Sequence, residues 1–180
     1  PLMSEYVFSY ILAIERSLVE TRNNQSRRLW LPLPYRGLSG LTIGIAGLGS
    51  IGRHIALTAS HFGMKVLGLN RTGRDVDAVD QLFTVDEKHQ FLAQLDYLIV
   101  TLPETETTAK FFNFDDFCAM KNSAFLISVG RGSNLNQEDL INALSQKKIR
   151  GAVLDVFEKE PLPVDNPLWT FENVYVTPHN

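Results

Sequence analysis

Cysteine, excess charge and long apolar runs are all scarce in this sequence, and each shortage narrows its possible functions. The single cysteine among 180 residues, Cys118, excludes an intramolecular disulfide and fits a reducing compartment. The formal net charge is only −3, so we expect neither nucleic acid nor a membrane surface as a partner. No apolar run approaches the ~20 residues of a membrane span, and no signal peptide is evident. We therefore expect a cytoplasmic protein.

The apolar content, in contrast, is ample for a buried core. Hydrophobic residues make up 44% of the chain, which is enough for one well-buried domain and short for two. Cys118 stands among apolar neighbours in FDDFCAM. We expect it to be a buried small side chain rather than a nucleophile.

Residues 1–20 predict one long amphipathic helix. Apolar residues recur there at three- and four-residue spacings, as in Val7, Ile11 and Ile14, and Ser4 is the expected N-cap. This helix belongs to no strand–helix–strand unit. We therefore expect a connector or dimerisation helix whose packing partner is absent from this chain.

Residues 21–180 are predicted to form one domain, near the start of which lies a linker at 29–40 that suits neither a helix nor a strand. After the linker, short apolar runs alternate with helical stretches. Strands are predicted at 41–47, 65–70, 96–103, 124–130, 151–157 and 173–179, and helices at 50–63, 86–95 and 136–149. Strands that read as near-continuous Ile, Val and Leu indicate a parallel sheet with helices on both faces. With right-handed crossovers this is a doubly wound α/β fold.

A glycine motif follows the first predicted strand. Gly47, Gly49 and Gly52 match G-x-G-x-x-G in a strand–turn–helix context, which is typical of dinucleotide binding and of a Rossmann-type sheet. The three glycines would allow a tight turn, the approach of a pyrophosphate, and close helix–strand packing. The alternative is a glycine-rich turn that binds no ligand.

The segment after the second predicted strand bears on which dinucleotide is bound. The motif expects an acidic residue about 20 positions on, and Asn70 lies 21 positions after Gly49. An acid there would repel a 2′-phosphate, whereas Arg71, Thr72 and Arg74 could bind one. We therefore predict NADP(H) as the preferred cofactor and NAD(H) as a possible one. The alternative is a solvated basic turn.

Five ordered motifs carry a resemblance to a known family. They are AGLGSIG (46–52), LPETETT (102–108), VGRG (129–132), LDVFEKEPLP (154–163) and TPH (177–179). Together they resemble the D-isomer-specific 2-hydroxyacid dehydrogenases over essentially the whole chain. The Asn-Arg-Thr stretch and the region of Trp30 are most similar to the glyoxylate/hydroxypyruvate reductase branch. No metal site is predicted.

The resemblance implies that Arg131, Glu160 and His179 are catalytic. A guanidinium can hold a 2-keto acid, and a histidine with a pKa near neutrality can donate the proton that the reduced carbonyl oxygen needs. A glutamate beside that histidine would orient the ring and favour its protonated form. Formate dehydrogenases of the superfamily have Gln where Glu160 stands, which counts against that activity. Taken singly, Arg131 could be a loop arginine and Glu160 a turn residue.

The resemblance also implies cofactor contacts beyond the glycines. These are Ser50 and Ile51 at the pyrophosphate, Thr101, Leu102, Pro103 and Thr108 on the adenosine side, Val129, Gly130 and Arg131 near the nicotinamide ribose, Asp155 at the carboxamide, and His179.

Two wider expectations follow from the resemblance. Full members have a second, substrate-binding domain, so we expect this chain to bind dinucleotide but to turn over a small 2-keto or 2-hydroxy acid weakly or not at all, and to form a homodimer through the cofactor domain. The alternative function is a dinucleotide-sensing module of the C-terminal-binding-protein corepressor type.

Overall fold

Seven parallel strands form one sheet in a computed structural model that describes residues 1–71 and 76–179. The strands are β1 (Thr42–Ala46), β2 (Lys65–Leu69), β3 (Gln81–Phe83), β4 (Tyr97–Val100), β5 (Phe125–Ser128), β6 (Gly151–Leu154) and β7 (Val174–Val176). The α-helices are α1 (Leu2–Glu15), α2 (Leu18–Ser26), α3 (Ser50–His61), α4 (Lys88–Leu92), α5 (Phe114–Ala119) and α6 (Gln137–Ser145). None of the helices so described is both long and apolar enough to cross a membrane.

The strand order across the sheet is β3-β2-β1-β4-β5-β6-β7. The chain therefore winds outward from β1 in one direction, then returns and continues from β4 in the other. Ligands of such sheets bind at the carboxyl ends of the strands, where this reversal opens a crevice. The doubly wound parallel fold predicted from the sequence is confirmed, and the reversal places the crevice between the loops after β1 and β4.

Alternate residues of each central strand face opposite sides of the sheet. On β4, Tyr97 and Ile99 belong to the core that α1 and α3 cover, whereas Leu98 and Val100 belong to the core that α4, α5 and α6 cover. All four are almost completely buried. Because both faces are covered, these strands are apolar throughout, which explains their continuous hydrophobic pattern.

The first helix differs from its prediction in length and in packing. It begins at Leu2, so Ser4 lies inside it, where the Ser4 hydroxyl is 2.7 Å from that of Thr58 on α3. It ends at Glu15 because the chain turns at Ser17, whose φ of 49° is left-handed, before α2 begins. The expectation of one continuous helix over 1–20 is therefore wrong.

The expectation that this helix finds no partner in the chain is also wrong. Val7 and Ile11 of α1 are fully buried, and the Phe8 ring stacks on Phe62 with centroids 5.1 Å apart. Among the described residues after α1, α3 is the only helix that contributes to this side of the core, so α1 covers apolar strand surface that would otherwise meet water. Periodicity showed which residues of α1 are apolar, but not which surface they meet.

A buried carboxylate joins α1 to the linker and the sheet. Arg36 donates from Nε and Nη2 to the two oxygens of Glu15, at 2.9 and 2.8 Å, and the Tyr97 hydroxyl donates to Glu15 Oε1 at 2.6 Å. Burial alone would raise the pKa of the Glu15 carboxyl, but the hydrogen bonds from Arg36 and Tyr97 outweigh it and lower that pKa. The linker predicted at 29–40 indeed contains neither helix nor strand.

Three further features differ from the sequence predictions. The short strand β3 and the short helix α5 were not predicted, and both are too brief to show a clear period. Cys118 is exposed and not buried, because the six-residue helix that carries it turns Phe117 inward instead.

Candidate active site

The loop after β1 and the first turn of α3 contain two positions, 47 and 52, at which only glycine fits. Gly47 has a φ of +98°, which side chains rarely adopt, and a Cβ there would lie 3.0 Å from the Thr101 backbone. A Cβ on Gly52 would overlap the carbonyl oxygen of Gly47. That oxygen accepts a hydrogen bond of 2.6 Å from the Thr101 hydroxyl, which ties the loops after β1 and β4 together.

Gly49, in contrast, faces open space. A Cβ at this position would have no atom within 4 Å, and Gly49 is the N-cap residue directly before α3. No side chain among the described residues caps that helix start, so its backbone N–H groups are directed at the space beside Gly49. Such a start, with its positive dipole end, suits a phosphate. The residues present therefore fit a dinucleotide pyrophosphate.

A cleft of about 510 Å³ lies along this loop at the carboxyl edge of the sheet. Most of the predicted cofactor residues line it, namely Gly47, Gly49, Ser50, Ile51, Gly52, Asn70, Arg71, Thr101, Leu102, Pro103, Val129, Gly130 and Arg131. Leu48 and Leu69 line it as well, and the sequence reasoning missed them because they read as ordinary strand and turn residues. A neighbouring pocket of about 410 Å³ contains Thr108 and shares Asn70 and Arg71 with the cleft.

The structure describes two of the four residues predicted to lie near a 2′-phosphate. Asn70 and Arg71 lie at the junction of the cleft and the neighbouring pocket, and Arg71 is exposed. The Asn70 N–H donates to the Phe83 carbonyl at 3.1 Å, which holds the end of β2 against β3. Thr72 and Arg74 lie outside the described residues.

A buried asparagine holds the loop that carries Arg131. Asn134 is fully buried, and its Oδ1 accepts the Arg131 N–H at 3.0 Å. Its Nδ2 donates to the carbonyls of Pro103 and Thr108 at 3.2 and 3.3 Å. One side chain thus joins the loop after β4 to the loop after β5. The sequence reasoning missed Asn134 because an asparagine in a polar loop gives no signal of burial.

Glu160 and His179, which are 19 positions apart in the sequence, form a hydrogen-bonded pair. His179 Nδ1 lies 2.7 Å from Glu160 Oε2, and Glu160 Oε1 accepts the Phe157 N–H at 3.0 Å. The hydrogen bond with His179, helped by the Phe157 N–H and by the charge of Arg131, holds the pKa of the Glu160 carboxyl below its ordinary value. An ionised Glu160 accepts, so Nδ1 of His179 donates and carries a hydrogen.

The pair and the Arg131 loop meet through the backbone. A Cβ on Gly132 would overlap the backbone of Phe157, whose N–H orients Glu160. Arg131 donates from Nη1 to the Gly130 carbonyl at 2.8 Å, so its guanidinium is held beside its own loop. The structure therefore brings the three residues predicted to be catalytic to one edge of the sheet.

Besides Thr108, which lines the neighbouring pocket, two predicted cofactor residues among those described do not line the cleft itself. Asp155 is almost completely buried at the end of β6, and its Oδ1 accepts the Thr177 hydroxyl at 2.5 Å. His179 instead lines a different pocket of about 590 Å³, together with Glu160, Leu162 and Trp169.

Comparison with known proteins decides the family. The profile described as "D-isomer specific 2-hydroxyacid dehydrogenase, NAD binding domain" matches residues 8–180. The chain belongs to this family.

Relatives and solved structures of this family resemble the chain throughout its length. Glyoxylate/hydroxypyruvate reductase A of Serratia proteamaculans (strain 568) is 36% identical over 177 residues, which are 98% of this chain and 56% of that protein. The crystal structure of a D-isomer specific 2-hydroxyacid dehydrogenase family protein from Aeromonas salmonicida subsp. salmonicida A449 is 49% identical, with a TM-score of 0.97 over 100% of this chain and 58% of the other.

A third match carries a cofactor. The NADPH-dependent glyoxylate/hydroxypyruvate reductase of Sinorhizobium meliloti, in complex with NADP and sulfate, is 31% identical with a TM-score of 0.90. The match covers 98% of this chain and 57% of that one, so this dehydrogenase-family chain spans little more than half the length of these relatives. The matches do not favour the corepressor alternative over a dehydrogenase.

Proposed function

We propose that this chain is the cofactor-binding and catalytic half of an NADP(H)-dependent D-2-hydroxyacid dehydrogenase that reduces a small 2-keto acid of the glyoxylate or hydroxypyruvate type. The observation that carries the proposal is the Glu160–His179 pair at the sheet edge that also holds the dinucleotide cleft. The names of the relatives from Serratia and Sinorhizobium support the substrate class.

Different residues in and near the cleft would bind different parts of the cofactor. The N–H groups at the start of α3 and the open space at Gly49 would receive the pyrophosphate. Asn70 and Arg71 would lie at the adenosine ribose, and Asp155 would accept a hydrogen bond from the carboxamide. When bound, the reduced nicotinamide supplies the hydride of the reaction.

The remaining chemistry belongs to three side chains of this protein. Arg131 would bind the carboxylate and carbonyl of the 2-keto acid through its planar guanidinium. Because Glu160 holds Nδ1–H of His179, the proton that the product oxygen receives would come from Nε2. Glu160 also fixes the ring orientation, so that Nε2 stays in place between turnovers.

Steady-state reduction of glyoxylate, hydroxypyruvate, pyruvate and larger 2-keto acids by the full-length parent protein tests the activity. We expect the protein to reduce glyoxylate and hydroxypyruvate, and Glu160→Gln should lower kcat. Absence of turnover with every 2-keto acid would refute the proposal. The expectation that the 180-residue chain alone is weak or inactive stays a prediction, and the same assay on the chain tests it.

The preference for NADP(H) is proposed from Asn70 and Arg71, and the NADP complex of the Sinorhizobium reductase supports it. Arg71→Ala should raise the Kd for NADPH about tenfold, since a hydrogen bond to a charged group contributes on the order of 1.5 kcal/mol. The Kd for NADH should hardly change. Fluorescence titration measures both constants, and Arg27→Ala, on an exposed arginine beyond α2, is the control. An unchanged ratio of the two constants would contradict the assignment.

We further propose that the segment following α2 forms a contact between two copies of the chain. Leu29 and Leu31 are more than half exposed and Trp30 is 99% exposed, which is an unusual cluster for a surface in water. Light scattering on the unmodified chain and on Trp30→Ser tests this proposal. A monomer in both cases would overturn it.

A further inference from the structure

A chain of three side chains leads from the first helix to the predicted carboxamide-binding residue. The Tyr6 hydroxyl lies 2.7 Å from Oγ1 of Thr177, and Thr177 donates to Asp155 Oδ1 at 2.5 Å. A hydroxyl has one hydrogen, and Thr177 uses it on the carboxylate. Tyr6 must therefore donate to Thr177, so both hydrogen bonds point toward Asp155.

The surroundings of Tyr6 hold this chain in one arrangement. The Tyr6 ring lies 5.0 Å from that of Tyr10, which in turn lies 5.5 Å from that of Tyr175 on β7. Burial raises the pKa of the Tyr6 hydroxyl well above its ordinary value, so it remains protonated and able to donate. Tyr6 is thus a fixed donor and not a mobile surface side chain.

The other end of the chain is also fixed. The Thr177 N–H donates to the Leu154 carbonyl at 3.0 Å, and the Asp155 N–H donates to the Ser128 carbonyl at 3.1 Å. Both backbones are therefore held by the sheet, and the hydrogen bond from the Thr177 hydroxyl restrains the Asp155 carboxylate. A buried carboxylate without such donors would be costly.

We propose that Tyr6 and Thr177 are positioning residues that orient the Asp155 carboxylate toward the carboxamide of the nicotinamide ring. This inference rests on the proposed function. It gives α1 a second role besides covering the sheet, because the helix supplies the outermost donor of a chain of hydrogen bonds that ends at Asp155, the residue proposed to bind the carboxamide.

Two ligands separate this role from a merely structural one. NADPH contains the nicotinamide, whereas adenosine 2′,5′-bisphosphate carries only the adenosine and phosphate part. Isothermal titration would give the Kd of both for the unmodified chain and for four variants. The variants are Thr177→Val, which keeps the shape without the hydroxyl, Thr177→Ser, which keeps the hydroxyl, Tyr6→Phe, and Tyr35→Phe as a control on an exposed tyrosine.

We expect Thr177→Val to weaken NADPH binding about tenfold and Tyr6→Phe by roughly threefold to tenfold, the range that loss of one hydrogen bond implies. Thr177→Ser and Tyr35→Phe should bind NADPH like the unmodified chain. The bisphosphate should bind all five proteins equally. Unchanged NADPH binding in Thr177→Val and Tyr6→Phe, or an equal loss for both ligands, would overturn the inference. If the unmodified chain binds neither ligand, the proposed function itself fails and the inference falls with it.

Discussion

Asn134→Ala should destabilise this protein more than its place in a polar loop suggests. The side chain is fully buried and makes three hydrogen bonds, to the Arg131 N–H and to the Pro103 and Thr108 carbonyls. The Pro103 carbonyl still accepts the Thr108 hydroxyl at 2.6 Å, so most of the cost falls on the other two groups. Both hydrogen bonds are only part-buried. At about 1–2 kcal/mol for each group left unpaired, the lower part of the usual range, the loss is roughly 2–4 kcal/mol.

A change of this size is easily measured. For a domain of this length it corresponds to a fall in Tm of roughly 5–15 °C, which circular dichroism would follow. Binding of NADPH should weaken as well, because the loops that Asn134 joins line the cleft. Asn142→Ala, on the exposed side of α6, should stay within about 0.5 kcal/mol of the unmodified protein. If Asn134→Ala melts together with this control, the three hydrogen bonds do not hold the loops and the reasoning is refuted.

Two further predictions concern the glycine loop and a buried ion pair. Gly52→Ala should lower the unfolding free energy by about 1–3 kcal/mol, because its methyl would overlap the Gly47 carbonyl oxygen, whereas Gly49→Ala should fold normally and only weaken NADPH binding. Urea unfolding and titration separate the two variants, and equal stabilities would contradict the assignment. Glu15→Gln should be less stable than the unmodified protein at neutral pH. Because the folded pKa of Glu15 is lowered from 4.5 by Arg36, its contribution is present above that pH and is lost as the pH falls further. A stability difference that does not vary with pH would show that the ion pair contributes nothing.

Much of the fold followed from local patterns. Five-residue strands that are buried on both faces have to be apolar throughout, so β1, β2 and the central strands could be read directly. Gly47 and Gly52 could be read as well, because the positive φ and the close approach that they allow exclude other residues. Short elements such as β3 and α5 could not, since three to six residues contain too little periodicity.

The sequence predicted the residues of the candidate site one by one, but not the contacts between them. Arg131, Glu160 and His179 were named from their motifs, yet the 2.7 Å contact between Glu160 and His179 depends on where two loops after β6 and β7 meet. The donors that act behind them gave no signal. Asn134 and Thr177 are ordinary polar residues in sequence, and their roles arise from hydrogen bonds that join loops distant along the chain.

The sequence by itself determined the doubly wound sheet, the glycine loop and the family, because each depends on the types and spacing of residues close along the chain. Only the tertiary structure decided that α1 packs on its own sheet, that Asn134 joins two loops, and that Tyr6 reaches Asp155 through Thr177. These features depend on contacts between residues more than twenty positions apart, except for the short link between Asn134 and Arg131. Such contacts exist only once the strands have set the spacing of the loops that they carry.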